Sequence, residues 1–179
     1  MTALHRPPLR GGAPLLAPLI ALVLLVLLML PVAACSGSSP TAPGQGGPSG
    51  LAVEGSSYAR VNDARRGDGK PELLLDPVLS EVARIYSRRM RDEGFFGHED
   101  GAGNGLRNRL AAAGIGFTIA GENLAFVEHA SDPAASAHQM LMGNAAHRAN
   151  ILDGRYTEIG IGVAQSGDTY WITQVFLRP

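Results

Sequence analysis

Gly121-Glu122-Asn123, His147-Arg148-Ala149-Asn150-Ile151-Leu152 and Tyr170-Trp171-Ile172-Thr173-Gln174-Val175-Phe176 follow one another in the C-terminal third of a 179-residue chain. The first segment combines a glycine, which lets the backbone turn tightly, with an asparagine whose amide can bond neighbouring backbone. The last is rich in β-branched and aromatic residues, as strands are. Working outward, Ile159, Ile161 and Val163 alternate with Gly160 and Gly162, the pattern of a strand lying close beneath another layer. Gln165-Ser166-Gly167-Asp168 reads as a turn, so this strand and Thr169 to Leu177 form a C-terminal hairpin. Ile115 to Ala120 alternates weakly and predicts a further strand running into Gly121.

Helices surround these strands. Ser56 or Ser57 caps a first helix that ends near Gly67 and turns Tyr58, Val61 and Ala64 to one face. The second is clearer. Asp76 is its cap, Pro77 fills the first turn where a missing N–H costs nothing, and Leu79, Val82, Ala83, Tyr86 and Met90 keep helical spacing up to Gly94. A short helix spans Leu106 to Ala113, and Asp132-Pro133 starts another that reaches Met142. The mixture predicts an α+β fold with a small, largely antiparallel sheet.

The N-terminus carries an address. His5, Arg6 and Arg10 precede the apolar run Leu15 to Leu30, and Val32-Ala33-Ala34-Cys35 follows. Basic flank, apolar stretch and small residues are the layout of a secretory signal peptide. The Val-Ala-Ala-Cys ending resembles a bacterial lipobox, which implies lipidation of Cys35 and cleavage just before it. An ordinary signal peptide with an incidental cysteine and a retained membrane helix are the alternatives. Ser36 to Gly50 has no charge and no large apolar side chain, the composition of a flexible tether. The expected organisation is therefore a signal peptide over 1–34, a tether over 35–55 and a folded unit over 56–179.

Composition excludes several classes. Cys35 is the sole cysteine, so the folded unit has no disulfide framework, thiolate metal site or cysteine nucleophile. Fifteen basic residues stand against 16 acidic, and two of the basic ones, Arg6 and Arg10, precede the apolar run. Arg84, Arg88, Arg89 and Arg91 cluster on the polar side of the second helix and read as a solvated face. Nothing here favours nucleic acid. No Gly-x-Ser-x-Gly elbow and no His-Glu-x-x-His helix occurs.

With His98 upstream, the three motifs resemble the bacterial branch of the CAP superfamily, the group of the cysteine-rich secretory, antigen 5 and pathogenesis-related proteins. The resemblance covers Ser56 to Phe176 and implies a three-layer α-β-α sandwich with a central cleft. It implies that His98 and Glu122 line that cleft, as an acid/base pair or as two ligands of a divalent metal such as zinc. Half of the family's two-histidine, two-glutamate tetrad is missing. Asn144 stands where the second glutamate is expected, and Trp171 where the second histidine is expected. His147 is the candidate replacement imidazole, which would make His98, Glu122 and His147 a minimal metal set. Asn123, His147, Asn150 and Gln174 are the candidate ligand-binding residues. Asn150 and His147 can equally brace a tight loop, and Gln174 is expected to brace Glu122.

Two functions follow. In the favoured one the chain is a binding module, tethered through lipid on Cys35 to the outer face of a bacterial membrane. Its cleft holds a small ligand, a lipid, a cell-wall fragment or a peptide. The alternative is a hydrolase in which His98 and Glu122, with or without metal, activate water. A non-catalytic surface scaffold is a further reading, and free secretion is the alternative to anchoring.

Overall fold

The computed structural model describes residues 47–179. The expected signal peptide, Cys35 and most of the tether lie outside the described residues. Five helices and four strands occur among them in the order α1 (Gly50–Gly67), β1 (Leu74–Leu75), α2 (Pro77–Glu93), α3 (Leu106–Ala112), β2 (Ile119–Glu128), α4 (Pro133–Gly143), α5 (Ala145–Leu152), β3 (Glu158–Ser166) and β4 (Thr169–Arg178). The sheet runs β1-β3-β4-β2. Among the described residues only the short β1–β3 pairing is parallel, so the sheet is largely antiparallel, and β2 pairs there with β4 alone.

Side-chain alternation along β4 assigns the layers. Ile172 and Phe176 face a core built with Val53 and Val61 of α1, Ala137 and Leu141 of α4 and Ile151 of α5. Val175 and Leu177 face Leu79, Val82 and Ala83 of α2 and Leu110 of α3. Helices thus cover both faces, giving an α-β-α sandwich.

Asp76 caps α2 by accepting from the Leu79 amide at 2.6 Å, and Gly94 ends it in the left-handed region at φ 70°. Asp132 caps α4 through the Ala135 amide at 2.9 Å. The glycines of β3 explain how closely α2 sits on the sheet. A Cβ on Gly162 would lie 2.0 Å from the Arg84 backbone nitrogen, and one on Gly160 would lie 2.3 Å from the Leu79 carbonyl carbon.

Four expectations are corrected. The first helix begins at Gly50, capped by Ser49, so 50–55 belongs to α1 rather than to the tether. The strand expected over Ile115 to Ala120 begins at Ile119 and carries Gly-Glu-Asn in its middle, because Leu124-Ala125-Phe126-Val127 continues it. The stretch around His147, taken as a tight loop, is α5, whose first turn Asn144 caps by accepting from the Ala146 and His147 amides. The arginines of α2 are paired rather than merely solvated. Arg84 chelates Glu54 of α1, Arg88 meets Glu81, and Arg89 bridges Glu93 and Asp100.

Candidate ligand-binding cleft

Glu122 points from β2 toward the α2 side of the sheet, and its side chain is only 4% exposed. Its Oε1 meets His98 Nδ1 at 2.9 Å, and its Oε2 meets the Arg109 guanidinium. His98 stands on the loop that leaves α2, and that loop is rigidly built. The Tyr86 hydroxyl donates to the Gly97 carbonyl. Asp100 accepts from the Ala102 and Asn104 amides at 2.8 and 2.9 Å. The His98 ring itself is more than half exposed, at 57%. Hydrogen bonding to Glu122 raises the His98 pKa above the usual imidazole value, against burial and the nearby Arg109 charge, which lower it.

Asn123 points the opposite way and is fully buried. Its amide nitrogen donates to the His147 carbonyl at 3.1 Å and to Gln174 Oε1 at 3.3 Å, and its oxygen accepts from Asn150 Nδ2 at 3.0 Å. Asn150 also donates to the Glu122 carbonyl at 3.2 Å. These bonds seat α5 against β2. They also explain Gly121, where a Cβ would come within 2.3 Å of the Tyr156 hydroxyl and 3.1 Å of Asn150 Oδ1. Gln174 therefore braces Asn123 and not Glu122, because positions 123 and 174 are directly paired and share a face.

The free edge of β2 lies between these two clusters. His129 N donates to the Asp168 carbonyl at 3.0 Å, which sets the phase of the ladder. In an antiparallel pair, alternate residues exchange bonds with the partner. Asn123, Ala125 and Val127 thus turn their backbone groups to β4, and Glu122, Leu124 and Phe126 turn theirs outward. The Asn150 bond to the Glu122 carbonyl agrees with that phase. Alongside runs a groove of about 490 Å³ lined by Phe96, Leu124, Phe126, Met140, Leu141 and His147, among others. Phe126 packs against Phe96 and Trp171, with ring centroids 5.9 and 5.2 Å apart, and forms one aromatic wall.

Residues 58–176 match the family model for the cysteine-rich secretory protein family, CAP. The chain belongs to the CAP family. It is 32% identical over 117 residues to the uncharacterized protein YkwD of Bacillus subtilis, covering 65% of this chain and 44% of that one. It is 31% identical over 118 residues to the uncharacterized membrane protein YlbC of the same organism, covering 66% and 32%. The chain thus spans less than half the length of these curated relatives. A solved extracellular SCP-domain protein of Bacillus anthracis superposes with a TM-score of 0.64 at 29% identity, covering 72% of this chain and 41% of that one. A solved outer surface protein of Borrelia burgdorferi shares the fold, with a TM-score of 0.66 at 15% identity and coverage of 75% and 98%.

In this CAP domain His98 and Glu122 come together, but His147 does not complete a metal set with them. Among the described residues no three His, Cys, Asp or Glu side chains gather closely enough to hold a metal ion. The reason is architectural. His98 reaches Glu122 on the α2 side of β2, whereas α5 carries His147 on the Asn123 side, and both oxygens of Glu122 are already engaged. His147 is still near enough for the His98 charge to act on it. Burial first, and that charge second, hold its pKa below the usual imidazole value. Its Nδ1 is buried without a partner.

Arg109 is the site residue that the sequence did not disclose. It lies on α3 and looks like any arginine on a short helix, and only the packing of α3 beside Glu122 gives it a role. Tyr86, read as a core position of α2, carries the Arg109 guanidinium on its ring, with Cζ 3.3 Å from the centroid.

Proposed function

We propose that this CAP domain is an exported, membrane-tethered binding module, and that its cleft takes an extended peptide along the free edge of β2. The observation that carries this reading is the outward-facing backbone of Leu124 and Phe126 beside an apolar groove. Donors and acceptors at strand spacing match the main chain of an added strand, and the groove receives that strand's alternate side chains. Phe96, Phe126 and Met140 supply adaptable apolar contact, and Asn144 and His147 offer polar groups in the same lining. The extracellular relative from Bacillus anthracis supports export, and the lipobox-like Cys35 supports anchoring.

The hydrolase reading receives less support. Both carboxylate oxygens of Glu122 are engaged, Oε1 by His98 and Oε2 by Arg109, so neither is free to take a proton from water.

The test is NMR titration of the protein with a library of nine-residue peptides of alternating apolar character. Binding peptides should shift the Leu124 and Phe126 amide resonances saturably. N-methylation of the peptide should abolish binding at every second position only, since only alternate amides face β2. Shifts from muramyl dipeptide or phosphatidylglycerol vesicles, with none from any peptide, would replace the peptide by a cell-wall fragment or a lipid.

A further inference from the structure

The family resemblance points to a metal at His98 and Glu122, and the donor set found there does not fit one. What engages the second carboxylate oxygen of Glu122 is a side chain. The Arg109 guanidinium pairs with Glu122 Oε2. Its Nη1 donates to the His98 carbonyl at 3.2 Å and to the Asn104 carbonyl at 3.5 Å. Its flat face lies on the Tyr86 ring, and only 12% of the side chain is exposed. A guanidinium held by a carboxylate, two carbonyls and an aromatic face is a fixed element of the site rather than a surface ion pair that opens and closes.

We propose that Arg109 is a built-in cation that takes the place of a metal ion in this centre. It neutralises Glu122, aims its Oε1 at His98 Nδ1, and excludes divalent cations from the carboxylate. A Zn²⁺ ion approaching Glu122 would have to displace one oxygen from Arg109 and then remain beside the guanidinium it displaced. Both consequences disfavour binding, and neither depends on the protonation of His98. Arg109 acts through Glu122 and is a positioning residue. The assignment goes beyond the peptide reading and stands whether or not a peptide occupies the β2 edge.

The experiment is competition for Zn²⁺ between a chromophoric chelator and the full chain purified in detergent. The comparison includes wild type, Arg109→Met, Arg109→Lys, and Arg109→Met combined with Glu122→Gln. Wild type should bind no stoichiometric Zn²⁺ at micromolar concentration. Arg109→Met should bind at least tenfold more tightly, and adding Glu122→Gln should erase that gain. Arg109→Lys, which keeps a positive charge, should stay within about threefold of wild type. A wild type that binds one Zn²⁺ with low-micromolar affinity, lost in His98→Ala, overturns the proposal. So does an Arg109→Met protein that binds no more tightly than wild type. An equal gain in Arg109→Lys would assign exclusion to the Tyr86 packing and refute the role of charge. Should Arg109→Met fail to fold by circular dichroism, Arg109→Gln carries the same readout.

Discussion

Asn123→Ala tests whether α5 is fastened to the sheet through one side chain. The substitution removes two bonds donated by Asn123, to His147 and Gln174, and one accepted from Asn150. The three partners are not equally exposed to the loss. Asn150 retains the Glu122 carbonyl at 3.2 Å, and the His147 carbonyl has a second lone pair for its own helix. Gln174 Oε1 is different, because that residue is 1% exposed and Asn123 is the partner of that oxygen. One buried acceptor left unsatisfied costs about 1–3 kcal/mol, and two weakened bonds plus a small void bring the expected loss to about 2–4 kcal/mol. Urea unfolding followed by the fluorescence of Trp171, the only tryptophan, measures it. The midpoint should fall while the slope stays unchanged. Asn123→Asp should be at least as damaging, since it turns a donor into an acceptor facing two oxygens. Asn123→Ala combined with Gln174→Ala should lose less than the sum of the single changes, because both partners are then gone. A loss below about 1 kcal/mol for Asn123→Ala, or strict additivity of the pair, would refute the hub.

Three other predictions address the fold, the dyad and the anchor. Gly162→Ala drives a Cβ into the backbone of α2; since backbone cannot rotate aside, the loss should exceed about 3 kcal/mol, the upper end for ordinary overpacking, in the same urea assay. Glu122→Gln should lower the His98 titration midpoint seen by NMR, because the Glu122 hydrogen bond is the main cause of its elevation. By linkage, the His98 contribution to stability is fully present below the unfolded imidazole pKa of about 6.5. It is lost as pH rises through the folded value, so wild type should gain less over Glu122→Gln at pH 8 than at pH 6. Cys35→Ala should move the protein from the membrane fraction into soluble form and stop incorporation of a fatty-acid label, and persistent salt-resistant membrane association would favour a retained helix instead.

Much of the fold was legible because its signals are local. Asp76-Pro77, Asp132-Pro133 and Gly94 mark helix ends through capping chemistry that needs no tertiary context, and the structure places them as read. The alternating glycines of β3 announced close packing, and α2 lies directly on them. Helix α5 was missed although its cap, Asn144, is also local, because an eight-residue segment whose only large apolar residues, Ile151 and Leu152, are adjacent at its end carries too little apolar periodicity to stand out. The His98–Glu122 pairing came from motif resemblance. No pattern in the sequence links Arg109 to Glu122, since that contact depends on how α3 packs beside β2. The partner of Gln174 depended on register, which turn and strand signals do not determine to the residue.

The two edges of the sheet bear on what the domain is for. At the β3 edge, outward amides beyond the short β1 are met by side chains. Ile161 N donates to Ser80 Oγ at 3.3 Å and Val163 N donates to Glu54 Oε1 at 3.1 Å. Placing the Glu54 carboxylate there is costly, since it is nearly buried and needs Arg84 beside it at 2.8 Å. The fold therefore has the means to plug an edge and uses them where the strand must stay closed. Among the described residues, the same treatment on β2 stops at the Glu122 carbonyl, which Asn150 covers. Two residues further on, Leu124 and Phe126 face a groove walled by Phe96, Met140 and Leu141. An edge left open beside apolar side chains invites aggregation unless something occupies it. The contrast between a plugged edge and an open one within a single four-stranded sheet is the strongest physical argument that β2 is kept free for a partner strand.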